Sequence, residues 1–196
     1  MNSPPPSVCV YCGSRHGARP SYTAAARALG QAIGSRGWQL VYGGGRVGLM
    51  GELADSTLAA GGRVIGIIPE SLKQREVGHT GLHELHVVPT MHQRKQMMAE
   101  RANLFIALPG GIGTLEELYE VWTWRQLGYH RQPMGLLNTE GYYDGLLRFM
   151  EHTVAEGFLD RKPMEFLRVG YEPVALLLDL VARLPVGAAG DDYSKV

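Results

Sequence analysis

A three-layer α/β fold, with a mostly parallel sheet between two layers of helices, is the fold class this sequence predicts. Three observations carry it. Short apolar, β-branched runs recur along the chain, longer stretches with helical spacing separate them, and 26 glycines gather largely where run gives way to helix. Strands that alternate with helices need crossover connections, and a crossover leaves consecutive strands parallel. A chain of 196 residues has room for one such domain. It is expected over 1–186, with a small, polar tail at 187–196 expected to fray.

The elements follow in order. Strands are expected at 7–11, 39–42, 63–68, 84–88, 104–108 and 134–137, and a weaker one at 166–169. The first helix is read from Tyr22, Ala25, Ala26, Leu29 and Ile33, which share one helical face; Gly37 ends it. Met50, Leu53, Ala54, Thr57 and Leu58 repeat the pattern before Gly61 and Gly62. Further helices are expected at 90–102, 114–127, 142–156 and 172–184.

Composition narrows the function. Nineteen basic and nineteen acidic residues give a formal net charge of zero, which leaves no basic footprint for polymeric nucleic acid. Met1–Ser7 is polar and proline-rich, unlike a signal peptide, and no stretch has the length and apolarity of a membrane span. Two cysteines do not make a disulfide framework. A cytoplasmic protein with no membrane contact is expected.

In a parallel α/β sheet the strand-to-helix turns share the carboxyl edge, where such folds bind ligands. Four of those turns carry chemistry. Cys12-Gly13-Ser14-Arg15 closes the first strand and suits a phosphate or a ribose, or is a plain turn. Gly43, Gly45 and Gly48 satisfy G-x-G-x-x-G between a strand and a helix, with Glu70 available to a ribose hydroxyl. Such glycines, Gly44 among them, let backbone N–H groups approach an anion, so a mononucleotide serves as well as a dinucleotide. Pro109-Gly110-Gly111-Ile112-Gly113-Thr114 is a third glycine turn, without the lysine of a Walker loop. Thr114 and Glu117 there also read as a capping box, which does not account for three glycines. Thr90 and Gln93 read as another, placing Arg94 and Lys95 on the first turns of their helix against its dipole; an anionic ligand or a solvated basic face explains them.

Other features read as ordinary structure. Cys9 and Cys12 have redox-pair spacing, but Cys9 lies within an apolar strand and no second ligand pair exists. His83 and His86 fall on opposite faces of a strand, which argues against a metal cluster with His79 and His92. Met91, Met97 and Met98, like Trp122 and Trp124, suit a core or a subunit contact.

Taken together, Cys12-Gly13-Ser14, Tyr42-Gly43-Gly44-Gly45 through Gly48-Leu49-Met50-Gly51, Met91-His92-Gln93-Arg94-Lys95 and Pro109-Gly110-Gly111-Ile112-Gly113-Thr114-Leu115-Glu116-Glu117 resemble the LOG family. Its members are cytokinin riboside 5′-monophosphate phosphoribohydrolases, long mislabelled as lysine decarboxylases. The resemblance runs from about Val8 to Leu184. It implies a Rossmann-like homodimer that hydrolyses the N-glycosidic bond of a nucleoside 5′-monophosphate to free base and ribose 5-phosphate, with neither metal nor cofactor. It further implies Arg94 and Glu117 as the catalytic pair, and Gly110, Gly111, Ile112, Gly113 and Thr114 around the 5′-phosphate with Lys95 nearby. Gly13, Ser14, Gly44, Gly45 and Glu76 are the remaining expected substrate contacts. The cradle is expected to close around a terminal phosphate. Two other classes stay open, an NAD-dependent oxidoreductase using Gly43, Gly45 and Gly48, and a nucleotide-binding protein without catalysis.

Overall fold

The computed structural model describes residues 5–73, 77–185 and Tyr193. One sheet of seven parallel strands runs through it, β1 (Ser7–Tyr11), β2 (Gln39–Tyr42), β3 (Arg63–Pro69), β4 (Glu84–Val88), β5 (Leu104–Ala107), β6 (Met134–Leu137) and β7 (Leu167–Gly170). Their order is β4-β3-β2-β1-β5-β6-β7. The chain therefore builds outward from β1 in one direction through β4, then returns to the other side of β1 with β5. That reversal makes the β1/β5 boundary the switch point, where the connections diverge and leave a crevice.

The helices are α1 (Pro20–Gly34), α2 (Gly48–Ala59), a single turn α3 (Glu70–Lys73), α4 (Met91–Glu100), α5 (Ile112–Leu127), α6 (Asp144–Ala155), the short α7 (Arg161–Glu165) and α8 (Pro173–Val181). A 3-10 turn at Thr139–Gly141 precedes α6. Proline at the start of α1 and α8 suits the first helical position, whose N–H has no partner within the helix. Side chains alternate across the sheet. Val8, Val10 and Cys12 enter a core under α1, α2 and α8. Cys9 and Tyr11 enter another, under α4 to α7. Both thiols are buried, on opposite faces of the sheet, so their spacing makes no redox pair. Burial pushes the Cys9 thiol and the Tyr11 hydroxyl well above their ordinary pKa ranges, so both stay uncharged.

Several expectations shift. The third, fifth and sixth expected helical regions, 90–102, 142–156 and 172–184, start or stop a few residues inside their expected limits, and α3 and α7 are too short for a periodicity to reveal. Trp122 and Trp124 belong to the chain's own core, where the Trp122 indole N–H donates to the Pro163 carbonyl at 2.8 Å. The expected tail lies outside the described residues apart from Tyr193. The Tyr193 ring packs on Trp124 and His130, and its hydroxyl donates to Gln132. Among the described residues no helix is long and apolar enough to cross a membrane. No group of three His, Cys, Asp or Glu side chains there could hold a metal; His79 instead bonds Asp55 at 2.9 Å.

Candidate active site

The crevice at the switch point is lined from both sides. Leu108 N–H donates to Tyr11 O at 2.9 Å, and Gly13 N–H donates to Pro109 O at 3.1 Å. These bonds extend the β1–β5 pairing past the strand ends and set the Cys12–Arg15 turn against the glycine turn before α5. Two cavities open there, sharing Ser14, Gly111 and Ile112. The narrower, about 240 Å3, holds Arg94, Glu117 and Thr114 together with Tyr11, Gly43 and Met91. The wider, about 550 Å3, lies between Gly13–Gly17, Tyr22, Pro109–Ile112 and Tyr142.

Arg94 reaches the narrow cleft from α4 and is only 5% exposed. The Thr90 hydroxyl accepts from Gln93 N–H at 3.2 Å, an N-cap that settles where the helix begins and hence where Arg94 lies. Its guanidinium is held by two carbonyls, Nε donating to Ile67 O at 3.2 Å and Nη2 to Gly43 O at 3.1 Å. Charge-assisted bonds of this kind contribute about 1.5–3 kcal/mol each and hold a long side chain in one rotamer. Gly43 is required for that approach, since a Cβ on it would lie 2.0 Å from Nη2. Gly43→Ala is therefore expected to push Arg94 aside, lowering kcat/KM at least about tenfold while the melting temperature falls only a few degrees. Steady-state kinetics beside a thermal melt checks this, and unchanged kinetics would remove Arg94 from the working site.

Glu117 enters the same cleft from α5 and is 9% exposed. The helix begins two residues earlier than the sequence implied. Gly111 is the N-cap and offers no side-chain acceptor, so Thr114 is the third helical residue and forms no capping box with Glu117. The first N–H groups of α5 are left without an intrahelical acceptor at the positive end of its dipole, which is where an anion binds. Glu117 lies further along the helix, inside the cleft. Among the described lining residues of that cleft, Arg94 and Glu117 are the two with formally charged side chains.

The other expected residues divide. Gly13, Ser14, Gly110, Gly111, Ile112, Gly113 and Thr114 line one cavity or the other. Gly44 and Gly45 do not: Gly44 O accepts from His79 N–H at 2.9 Å, and Gly45 bridges Gly78. Lys95 is turned to α5, where it bonds Glu116 and Glu120. Burial works against its charge, but the two carboxylates outweigh it and raise its pKa. Lys95 thus ties the helix of Arg94 to that of Glu117. Glu76 lies outside the described residues. The cradle is not closed, because Gly110–Ile112 border the wider cavity.

The fingerprint Gly43, Gly45 and Gly48 follows β2 and not β1, so it stands one strand away from the switch point. Its third glycine packs on protein. Gly48, at φ +59°, would place a Cβ 2.3 Å from the Ser14–Arg15 backbone, and Leu49 N–H already donates to Gly13 O at 3.0 Å. The third glycine packs on protein in dinucleotide sites too, but the second is the one that lets the backbone approach a pyrophosphate, and here Gly45 bridges Gly78 and lines neither cavity, which removes the support for a dinucleotide. Sequence reasoning placed Gly43 in a nucleotide turn without its contact to Arg94, and it missed Tyr22, Leu72 and Tyr142 as lining residues. The signal for Tyr142 was available: it follows β6 on the same sheet edge as the other turns.

Similarities to known proteins agree with this geometry. A family model described as possible lysine decarboxylase matches residues 50–180. A cytokinin riboside 5′-monophosphate phosphoribohydrolase of Arabidopsis thaliana is 53% identical over 152 residues, 78% of this chain and 70% of that protein. An enzyme of the same name from Rhodococcoides fascians is 53% identical over 156 residues, 79% of each chain. Among solved structures, the molybdenum cofactor binding protein of Rippkaea orientalis superposes with a TM-score of 0.69 at 22% identity, covering 93% of this chain and 98% of that one. The Moco carrier protein of Chlamydomonas reinhardtii gives 0.68 at 21% identity, covering 92% and 98%. Those two likenesses concern the fold.

Proposed function

The chain belongs to the LOG family of cytokinin riboside 5′-monophosphate phosphoribohydrolases, and from that premise we propose how its crevice carries out the family's reaction. The protein is a hydrolase of N-glycosyl bonds that converts a nucleoside 5′-monophosphate to free base and ribose 5-phosphate. The observation that carries the site assignment is convergence. Arg94 of α4 and Glu117 of α5 share one narrow cleft, with the uncapped start of α5 in its wall.

Glycosidic cleavage passes through an oxocarbenium-like state, with positive charge growing at C1′. The Glu117 carboxylate stabilises that charge and directs the attacking water, taking its proton as the C1′–O bond forms; the electron pair of the broken C1′–N bond leaves with the base, which takes up a proton from solvent, and Glu117 returns its own to solvent afterwards. Arg94, pinned from behind by Ile67 O and Gly43 O, is the fixed cation that orients the carboxylate and the ribose. Gly110 to Thr114, with Gly13 and Ser14, hold the 5′-phosphate, whose binding energy is used at the sugar. Lys95, Gly44 and Gly45 act at one remove, by holding α4 to α5 and the β2 turn to residues 77–79. Incubating AMP and an isoprenoid-adenine riboside monophosphate with the protein and separating the products tests the reading. Base and ribose 5-phosphate should appear in equal amounts from at least one; intact nucleotide throughout would reject it.

The assembly we propose is a homodimer. With both tryptophans in the core, the surplus apolar surface lies elsewhere, on α6 and the turn after it. Only Met150 of α6 is buried, while Phe149 and Phe158 are 59% and 88% exposed. Fully burying a side chain of that size stabilises by about 1.5–3 kcal/mol, so both phenylalanines favour a subunit contact over water. Light scattering at micromolar concentration is expected to give twice the 21.5 kDa chain mass; a monomer would count against it. The compartment we propose is the cytoplasm, since two cysteines buried on opposite faces of one sheet make no disulfide framework.

A further inference from the structure

Three consecutive peptide groups of the cradle are each held by their carbonyl. Pro109 O accepts from Gly13 N–H at 3.1 Å, Gly110 O from the Tyr142 hydroxyl at 2.6 Å, and Gly111 O from Leu115 N–H at 3.1 Å. In a trans peptide the carbonyl and the following N–H lie in one plane and point opposite ways. Holding each carbonyl therefore aims the next N–H, those of Gly110, Gly111 and Ile112. The first and third holds are backbone bonds that the fold makes whatever the side chains. The middle one depends on a single hydroxyl.

That middle peptide joins two glycines, and a Cβ on Gly111 would meet nothing within 4 Å. Little else limits its rotation. The hydroxyl that holds it is itself well placed. The Tyr142 ring stands edge-on to Tyr22 at 5.7 Å and to Tyr143 at 4.8 Å, so its position is set by two aromatic contacts. The turn that presents it is anchored too, with the Asn138 side chain accepting from Tyr143 N–H and donating to Asp144, both at 2.7 Å. We propose that Tyr142 is a positioning residue for the phosphate. Its hydroxyl, by holding the Gly110 carbonyl, aims the Gly111 N–H at the 5′-phosphate, so the loop after β6 tunes the affinity for the phosphorylated sugar. This rests on the cradle being the phosphate site.

The neighbouring tyrosine supplies the contrast. Tyr143 donates to Leu108 O at 2.6 Å, but the next nitrogen belongs to Pro109 and has no N–H to aim. Its bond is buried and serves stability alone. The test compares wild type, Tyr142→Phe and Tyr143→Phe in AMP kinetics, ribose 5-phosphate binding by calorimetry, and thermal melting. Tyr142→Phe is expected to raise KM and weaken ribose 5-phosphate binding by the same factor, about tenfold, the low end of what one charge-assisted bond contributes, with kcat within about twofold. Its melting temperature stays within about two degrees, since the residue is partly exposed. Tyr143→Phe is expected to melt several degrees lower with KM unchanged. Wild-type KM and ribose 5-phosphate binding in Tyr142→Phe would overturn the proposal, as would an equal loss of both in Tyr143→Phe. Calorimetry keeps the two readings apart. A wild type that cleaves no nucleotide fails the hydrolase reading, while ribose 5-phosphate binding still reports on Tyr142.

Discussion

Glu117→Gln is expected to lose at least about a thousandfold in kcat while melting within a few degrees of the wild type. The size follows from what the carboxylate does. Positioned acid–base groups contribute about 10²–10⁴ in rate, and this one also faces the positive charge that grows at C1′. Glutamine keeps the shape and one acceptor oxygen but loses the charge and the proton affinity. The stability expectation follows from the position: Glu117 is inside α5 and not in a capping box, so no cap is lost. Its partner behaves differently. Arg94 is buried, and its guanidinium donates to Ile67 O and Gly43 O, so Arg94→Ala takes a charged donor from each carbonyl and leaves a void beside them. That variant is expected to lose activity and also about 2–5 kcal/mol of stability. Product chromatography with a thermal melt on each variant reads both. A Glu117→Gln protein within about tenfold of wild type would take that residue out of the chemistry.

AMP is expected to exceed adenosine in kcat/KM by about three to four orders of magnitude. The uncapped first turn of α5, the glycine turn before it and the Cys12–Arg15 turn offer several N–H donors to one dianion. Two or three charge-assisted bonds at about 1.5–3 kcal/mol each reach that ratio. A neutral nucleoside makes none of them, and without the anchor its sugar is no longer delivered to Glu117. Equal cleavage of adenosine and AMP would mean that Gly110 to Thr114 are not a phosphate site. The same comparison extended to ATP has no steric barrier behind it, because the wide cavity of about 550 Å3 borders the cradle and has room for further phosphates. Discrimination between mono- and triphosphate therefore depends on how Arg15 and His16, which line that cavity, meet the added charge.

What the sequence determined by itself is local. Short continuous apolar runs, with a period of 3.6 between them, are written in the chain, and the seven strands lie where those runs lie. The N-cap at Thr90 was legible for the same reason, since donor and acceptor are three residues apart. The functional motifs could be grouped because all strand-to-helix turns of a parallel sheet meet at one edge. What only the tertiary structure decided is which of those turns face a ligand and which face protein. Gly43-Gly44-Gly45 and Gly110-Gly111 look alike along the chain, yet of the first only Gly43 reaches a cleft while Gly44 and Gly45 pack on Gly78 and His79, and both glycines of the second open onto a cavity. The difference is strand order: β5 inserts beside β1, and only the turns at that boundary diverge enough to leave a crevice. Lys95, adjacent to Arg94, went to two carboxylates on α5 for a related reason, because consecutive helical residues lie on different faces. Tyr142 bonding Gly110 across the cradle joins residues that no spacing rule connects. Such contacts are non-local, set by how elements pack, and a pattern of near neighbours holds no record of them.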